Sequence, residues 1–344
     1  MVFGIPDQKD IRRFKHSVVE HADTAFNFYQ KSTNKDIYIT NWTHKDPLLK
    51  APLEDFLRQH DVHQFLVIKN DSIVFEYVNK KISKQEYQPA PTFSIAKSFI
   101  SASMSVAMQQ GYIKSINDLV KTYLPELNYD KNFDILTINH LLNQQSGINE
   151  SVENISDANY GKIDKVLKKI KFEHAPGEHL KYVNTNYTLL GILLERATGQ
   201  PLYRFFSNNI WKRIGTSDSA VWGYDQRSNH TRAFSCFGSS TRDYAKFGRL
   251  YLKKGFWNGQ QVIDSTWILA STSYTNSLGA SVGYNNSLYI GEKEIGDYNF
   301  VGMYRQQIYV NPKSNVIIVC LLNFKHKNLS LRWWQILRQI SEQA

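Results

Sequence analysis

Apolar residues follow three regimes along the chain. The first is a pair of dense runs, Gln64-Phe65-Leu66-Val67-Ile68-Lys69 and Ser72-Ile73-Val74-Phe75-Glu76-Tyr77-Val78, separated by Asn70-Asp71. β-Branched and aromatic residues around a short polar turn predict a β-hairpin. The second regime has helical spacing. Ser94 to Gln110 predicts a helix stopped by Gly111, and Asn117 or Asp118 caps a short one ending near Pro125. Thr137 opens another, with Ile138, Leu141 and Leu142 inward, closed by Ser146-Gly147. Thr185 to Thr198 carries Leu189, Leu190, Ile192, Leu193 and Ala197, and Gly199-Gln200-Pro201 ends it. Residues 162–171, 202–213 and 243–254 predict three more helices. The third regime returns to strands over 300–310 and 316–324, joined by a turn at Asn311 to Asn315. An amphipathic helix over 330–343 follows, with Leu331, Trp334, Leu337 and Ile340 along one face.

Strands at both ends with helices between predict an α+β chain with one sheet assembled from distant segments. The expected units are a sheet domain over 61–110 and 240–344, a helical domain over 111–239, and an N-terminal segment, 1–60, wrapping the core. The 344 residues suffice for one large domain or two interlocked ones.

Composition changes this picture little. Hydrophobic residues make up 42% and aromatics 13%, ample for a packed core. The formal charge of +10 is spread along the chain. Its one dense cluster, the lysines at 162, 165, 168, 169 and 171, reads as a solvated helix face, and no nucleic-acid-binding signature accompanies it. Cys320 sits in an apolar run and reads as a buried free thiol; with Cys236 it makes no disulfide framework. The ten histidines lack His-x-x-x-His spacing, so no metal site is expected; the candidate chemistry below needs no metal or organic cofactor. No apolar run is long enough to span a bilayer. The start, Met1 to Asp7, lacks a basic-then-apolar leader, as expected of a cytoplasmic protein, or of a periplasmic or secreted one whose leader has been removed.

Candidate chemistry begins with Thr92-Phe93-Ser94-Ile95-Ala96-Lys97. Residues three apart share a helix face, so the Ser94 hydroxyl and the Lys97 amine can meet. A serine needs a neighbour to take its proton, and a lysine made neutral by burial can do so. Phe93, Ile95, Phe99 and Ile100 surround the pair, and the helix beyond Lys97 is poor in charge, which predicts burial. A buried lysine beside a serine is costly without a task. Alone, Ser-x-x-Lys is a common pattern; these flanks favour the functional reading.

Two further stretches matter. Tyr182 and Asn184 flank one residue in an extended segment before a helix, so both can face one cleft. Local chemistry alone favours a core tyrosine and a helix-capping asparagine there. Gly302 lies in the predicted strand over 300–310, where a glycine marks a bulge or a close backbone approach.

Taken in order, Ser94/Lys97, Tyr182/Asn184 and Gly302 resemble the serine β-lactamase and penicillin-binding-protein superfamily. The resemblance is to its class C-like branch, with the family VIII esterases and 6-aminohexanoate-dimer hydrolases. It spans roughly residues 60–325, supported by stretches such as His140-Leu141-Leu142 with Ser146-Gly147, Pro176-Gly177 and Ser240-Thr241-Arg242-Asp243. It implies a β-lactamase/transpeptidase-like fold: an antiparallel sheet flanked by helices, with an inserted all-helical region. It also implies roles: Ser94 as acylated nucleophile, Lys97 as proton acceptor, Tyr182 as proton relay and Asn184 as substrate contact. The backbone N–H groups of Ser94 and Met303, next to Gly302, would form the oxyanion hole. Relatives often carry Lys or His two residues before the glycine; here it is Phe300, which lowers the odds of penicillin-like substrates. Arg305 stands where relatives often have Gly, either restoring a cation at the cleft or pointing away into solvent. The expected activity is hydrolysis of a small ester, amide or peptide-like substrate through an acyl-enzyme. A D-Ala-D-Ala peptidase or β-lactamase, and a non-catalytic binder of peptides or cell-wall fragments, are the alternatives.

Overall fold

The hairpin at residues 64–78 lies inside the main sheet of the computed structural model, which describes residues 14–40, 50–81, 89–150, 163–274, 283–322 and 332–344. The chain opens with β1 Lys15–Val19, β2 Tyr29–Gln30, β3 Tyr38–Thr40, β4 Lys50–Pro52 and helix α1 Leu53–Gln59. The hairpin is β5 Val62–Lys69 and β6 Ser72–Val78, with Asn70 and Asp71 both at positive φ in its turn. Next come β7 Ala90–Pro91, a 3₁₀ turn Phe93–Ile95 and α2 Ala96–Gln109. A mainly helical stretch holds α3 Val120–Tyr123, α4 Ile138–Leu142, α5 Asn184–Thr198 and α6 Leu202–Phe206. Then follow β8 Ala220–Tyr224, β9 Phe237–Ser239, α7 Thr241–Leu252, β10 Phe256–Trp257, β11 Gln260–Gln261 and α8 Ser265–Thr272. The last elements are β12 Tyr284–Asn285, β13 Leu288–Ile290, β14 Tyr298–Gly302, β15 Gln306–Asn311, β16 Val316–Leu322 and α9 Trp333–Gln343.

The main sheet runs β12-β13-β14-β15-β16-β5-β6-β2 and is antiparallel except where β2 joins β6. A second sheet runs β1-β8-β9-β7. β16 explains why its sequence is a continuous apolar run. Ile317, Val319 and Leu321 enter the core shared with α2 and α7, while Val316, Ile318 and Cys320 enter the core shared with α1 and α9. Both faces are covered, so every position is apolar. Gly248 of α7 lets that helix sit on the sheet, since a Cβ there would lie 2.9 Å from the Cγ2 atoms of both Ile308 and Ile317. α2 is buried from Ala96 to Ala107, and Phe99 lies edge-on or tilted to Phe206, Trp211, Trp222, Phe237 and Phe247.

Several expectations shift. The single strand expected over 300–310 is two antiparallel strands, β14 and β15, joined at Met303–Arg305, where Tyr304 and Arg305 have φ of 58° and 60°. The lysine-rich 162–171 segment forms only a 3₁₀ helix, Ile163–Lys168. Residues 202–213 are helical throughout, changing from α6 to a π-turn and then a 3₁₀ turn. Leu119, not Asn117 or Asp118, precedes α3; the Asp118 carboxylate instead accepts from the N–H groups of Lys114 and Ser115. Segment 111–239 also contributes β8 and β9, and residues 14–59 contribute strands to both sheets. The expected ends at Phe324 and Ser330, the lysine at 162 and the start Met1 to Asp7 lie outside the described residues.

Candidate active site

Ser94 sits in the 3₁₀ turn that launches α2, directly after Phe93 at φ 51°. Lys97 is one turn further on, and its Nζ lies 2.9 Å from Ser94 Oγ. The amine also donates to Asn184 Oδ1 at 2.9 Å and to the Phe234 carbonyl at 3.2 Å. The rings of Tyr182, Phe234 and Tyr187 stand 4.9, 5.2 and 5.8 Å from it. Lys97 is 1% exposed. Burial strips water from the ammonium and lowers its pKa from 10.5 to about 7, against the opposing pull of the Glu150 carboxylate.

That geometry suits both protonation states. An ammonium uses three N–H bonds, to Ser94, Asn184 and Phe234. A neutral amine keeps two, on Asn184 and Phe234, and turns its lone pair to the Ser94 hydroxyl. The two acceptors thus fix the direction in which a neutral amine would present its lone pair.

Tyr182 and Asn184 meet this pair from the start of α5. Asn184 is its first residue, and Tyr182 lies in the extended segment before it. The Tyr182 residue is 39% exposed, and its ring stands beside the Lys97 amine. Desolvation raises the phenol's pKa, the influence of Ser94 lowers it, and Glu150 raises it again. The net effect is upward, so the phenol stays protonated.

Gly302 ends β14 beside this cluster. A Cβ there would collide with the Thr92 carbonyl oxygen, so glycine permits the strand end to approach the turn carrying Ser94. Met303, the next residue, is 39% exposed. Phe300 is fully buried against Phe247, Tyr251 and Tyr298. Arg305 lies in the turn joining β14 to β15, directly after Met303 and Tyr304. It is partly buried, and desolvation lowers the pKa of its guanidinium.

Sequence reasoning did not single out four groups that shape the site. Tyr187 and Phe234 wall the amine. Gln144, at φ 60°, accepts the Val183 N–H on its side chain at 2.9 Å and the Lys181 N–H on its carbonyl at 2.8 Å, bracketing Tyr182. Glu150 accepts from the Thr185 N–H at 2.8 Å. Tyr187, one helical turn beyond Asn184, carried a spacing signal; the other three come from remote loops.

A cavity of about 920 Å³ opens elsewhere, lined by Glu292, Lys293, Trp334 and Arg338 among others. None of its lining residues belongs to the Ser94 cluster, so chemistry rather than volume marks the site. Among the described residues no group of three or more His, Cys, Asp or Glu could hold a metal ion, and no helix is long and apolar enough to cross a membrane.

Comparison with known proteins agrees with the fold. The family model described as Beta-lactamase matches residues 60–340. The chain belongs to the Beta-lactamase family. Within that family it is 24% identical over 196 residues to the flp protein of Staphylococcus aureus strain COL, covering 51% of this chain and 39% of flp. The chain thus matches about two fifths of that relative's length. It is 20% identical over 298 residues to the 6-aminohexanoate-dimer hydrolase of Paenarthrobacter ureafaciens, covering 78% of this chain and 74% of that one. A solved structure from Bacillus anthracis, provisionally assigned as a 6-aminohexanoate-dimer hydrolase, superposes with TM-score 0.81 at 23% identity, covering 96% and 89%. The class C β-lactamase of Rhodobacter sphaeroides gives TM-score 0.61 at 16% identity, covering 84% and 97%. Both superpositions show the β-lactamase fold.

Proposed function

We propose that this protein is a serine hydrolase that cleaves a small ester or amide through an acyl-enzyme on Ser94. One observation carries the reading: a fully buried amine of pKa about 7, 2.9 Å from a serine hydroxyl. With its pKa lowered to about 7, such an amine has an unprotonated population at neutral pH that is able to act as base.

Neutral Lys97 takes the Ser94 proton as Oγ bonds to the substrate carbonyl carbon, and the carbonyl π pair moves onto oxygen. The N–H groups of Ser94 and Met303 receive that oxyanion. The oxyanion then re-forms the carbonyl and breaks the bond to the alcohol or amine. Tyr182 gives its proton to the leaving group and regains one from the Lys97 ammonium. In the second half, water loses a proton to the same pair, attacks the acyl carbon and releases the acid, and Ser94 Oγ recovers its hydrogen. Asn184, with Oδ1 on Lys97, leaves its Nδ2 to donate to the substrate.

Relatives named as a 6-aminohexanoate-dimer hydrolase and as EstCE1, a hydrolase with promiscuous acyltransferase activity, support ester or amide chemistry. The buried Phe300 supplies no cation beside the cleft, which favours substrates not anchored by a carboxylate there. The test is labelling by a fluorophosphonate probe, read by peptide mass spectrometry, with turnover of p-nitrophenyl butyrate in parallel. The expected adduct is on Ser94 and absent from Ser94→Ala; an adduct elsewhere, or undiminished turnover by Ser94→Ala, overturns the assignment.

A further inference from the structure

The loop after α4 brings a carboxylate to the start of α5. Glu150 Oε1 accepts from the Thr185 N–H at 2.8 Å and from the Thr185 hydroxyl at 3.2 Å. Two neighbouring bonds fix that loop: the Asn149 N–H donates to the Lys171 carbonyl at 2.8 Å, and Ile148 bridges Phe172. Thr185 adjoins Asn184, whose Oδ1 holds the Lys97 amine. Glu150 is therefore one residue removed from the contact that orients the base. It also satisfies an N–H that a helix's first turn leaves without an internal partner, where negative charge is favoured.

We propose that Glu150 is a positioning residue: its carboxylate fixes the first turn of α5, and its charge sets the pH range over which Lys97 serves as base. This rests on the reading of Lys97 as the proton acceptor for Ser94.

Other groups facing the amine are the Ser94 hydroxyl from the turn before α2, Asn184, Tyr182 and Tyr187 from the α5 segment, and the Phe234 carbonyl and ring from the loop before β9. Of these contacts Tyr182 and Tyr187 are the nearby titratable ones. Burial raises both phenols, so both are neutral at physiological pH. Charge from Glu150 therefore acts on the amine without compensation from them. Its carboxylate favours the ammonium and opposes the desolvation that makes the amine basic at neutral pH.

Two substitutions separate charge from placement. Glu150→Gln keeps an oxygen for Thr185 and removes the charge. Glu150→Asp keeps the charge and withdraws the oxygen from Thr185. The amine is titrated directly by NMR of ¹³Cε-lysine-labelled protein, with the Lys97 signal identified by its loss in Lys97→Arg. In parallel, kcat/KM for p-nitrophenyl butyrate is followed from acid to alkaline pH. Glu150→Gln is expected to lower the Lys97 midpoint by roughly half a pH unit or more, and to move the acid limb of kcat/KM with it, while sparing the alkaline plateau. Glu150→Asp is expected to leave the midpoint in place and lower the plateau severalfold. An unmoved midpoint in Glu150→Gln, or a profile scaled equally at every pH, overturns the proposal. The NMR arm needs no turnover: a shifted midpoint without hydrolysis refutes the hydrolase reading, and with it the link to catalysis, while the effect of the Glu150 charge on the amine stands.

Discussion

Replacing Lys97 by Met should stabilise the protein, and by more in acid than in alkali. Met fills nearly the same space with an apolar chain and removes the titrating group. The amine's pKa falls from 10.5 to about 7 on folding, so the unfolded chain holds this proton more tightly than the folded one. Between those values the unfolded state binds more protons, and stability rises with pH; below about 7 the full penalty is present. At about 1.4 kcal/mol per pH unit that penalty is about 5 kcal/mol at pH 6 and falls to about 2 kcal/mol at pH 9. Loss of the bonds to Ser94, Asn184 and Phe234 opposes the gain, at about 1–3 kcal/mol, but this part does not titrate. The stability difference between Lys97→Met and the natural protein should therefore be about 3 kcal/mol larger at pH 6 than at pH 9. Urea unfolding of both proteins at several pH values measures it. A difference constant to within about 0.5 kcal/mol across that range would refute the claim that burial depresses this amine.

Other substitutions probe the surroundings. Gly302→Ala places a Cβ against the Thr92 carbonyl oxygen and should lower kcat by about 10²-fold or more by displacing the Met303 N–H, with KM for p-nitrophenyl butyrate changed far less; unchanged kcat would show that this strand end takes no part in turnover. Gly191→Ala drives a Cβ into Ala233, beside the Phe234 carbonyl that holds Lys97, and should shift the acid limb of the rate profile as well as lower the melting temperature; loss of stability alone would leave that carbonyl without a role in tuning the base. His230 stands between Glu195 and Asp164, whose carboxylates outweigh its desolvation and raise the imidazole's pKa. Its stabilisation is complete below about pH 6.5 and fades as pH rises through the higher folded value. His230→Gln should therefore destabilise more at pH 6 than at pH 8.5 in thermal unfolding, and equal losses at both would contradict the ion pairing.

How much of this was legible in sequence depended on whether the cause was local. The Asn70-Asp71 hairpin, the capping of α4 by Thr137 and the stop of α5 at Gly199 each follow from side chains next to the backbone they control. The break between β14 and β15 did not, because Tyr304 and Arg305 adopt left-handed φ without the Gly or Asn that usually marks such a turn. Phe93 and Gln144 are similar, each at positive φ beside the site. For the site, the Ser94–Lys97 spacing predicted proximity, and burial of α2 predicted a perturbed amine. The partners that orient that amine were hidden, since Phe234 lies 137 positions away and is recruited through a backbone carbonyl, which no residue type announces.

The pairing of β16 with β5 joins Val316 to Lys69 and Leu322 to Val62. A ribosome must therefore synthesise the chain through Val316–Leu322 before the hairpin at residues 62–78 meets that neighbour. Until then the apolar edge of β5 is open to wrong partners, and closure of so long a loop makes folding slow. Under the proposed function, catalytic competence should appear late during synthesis: Ser94 and Lys97 come from one early turn, but β14, whose end at Gly302 lies against that turn, follows about two hundred residues later.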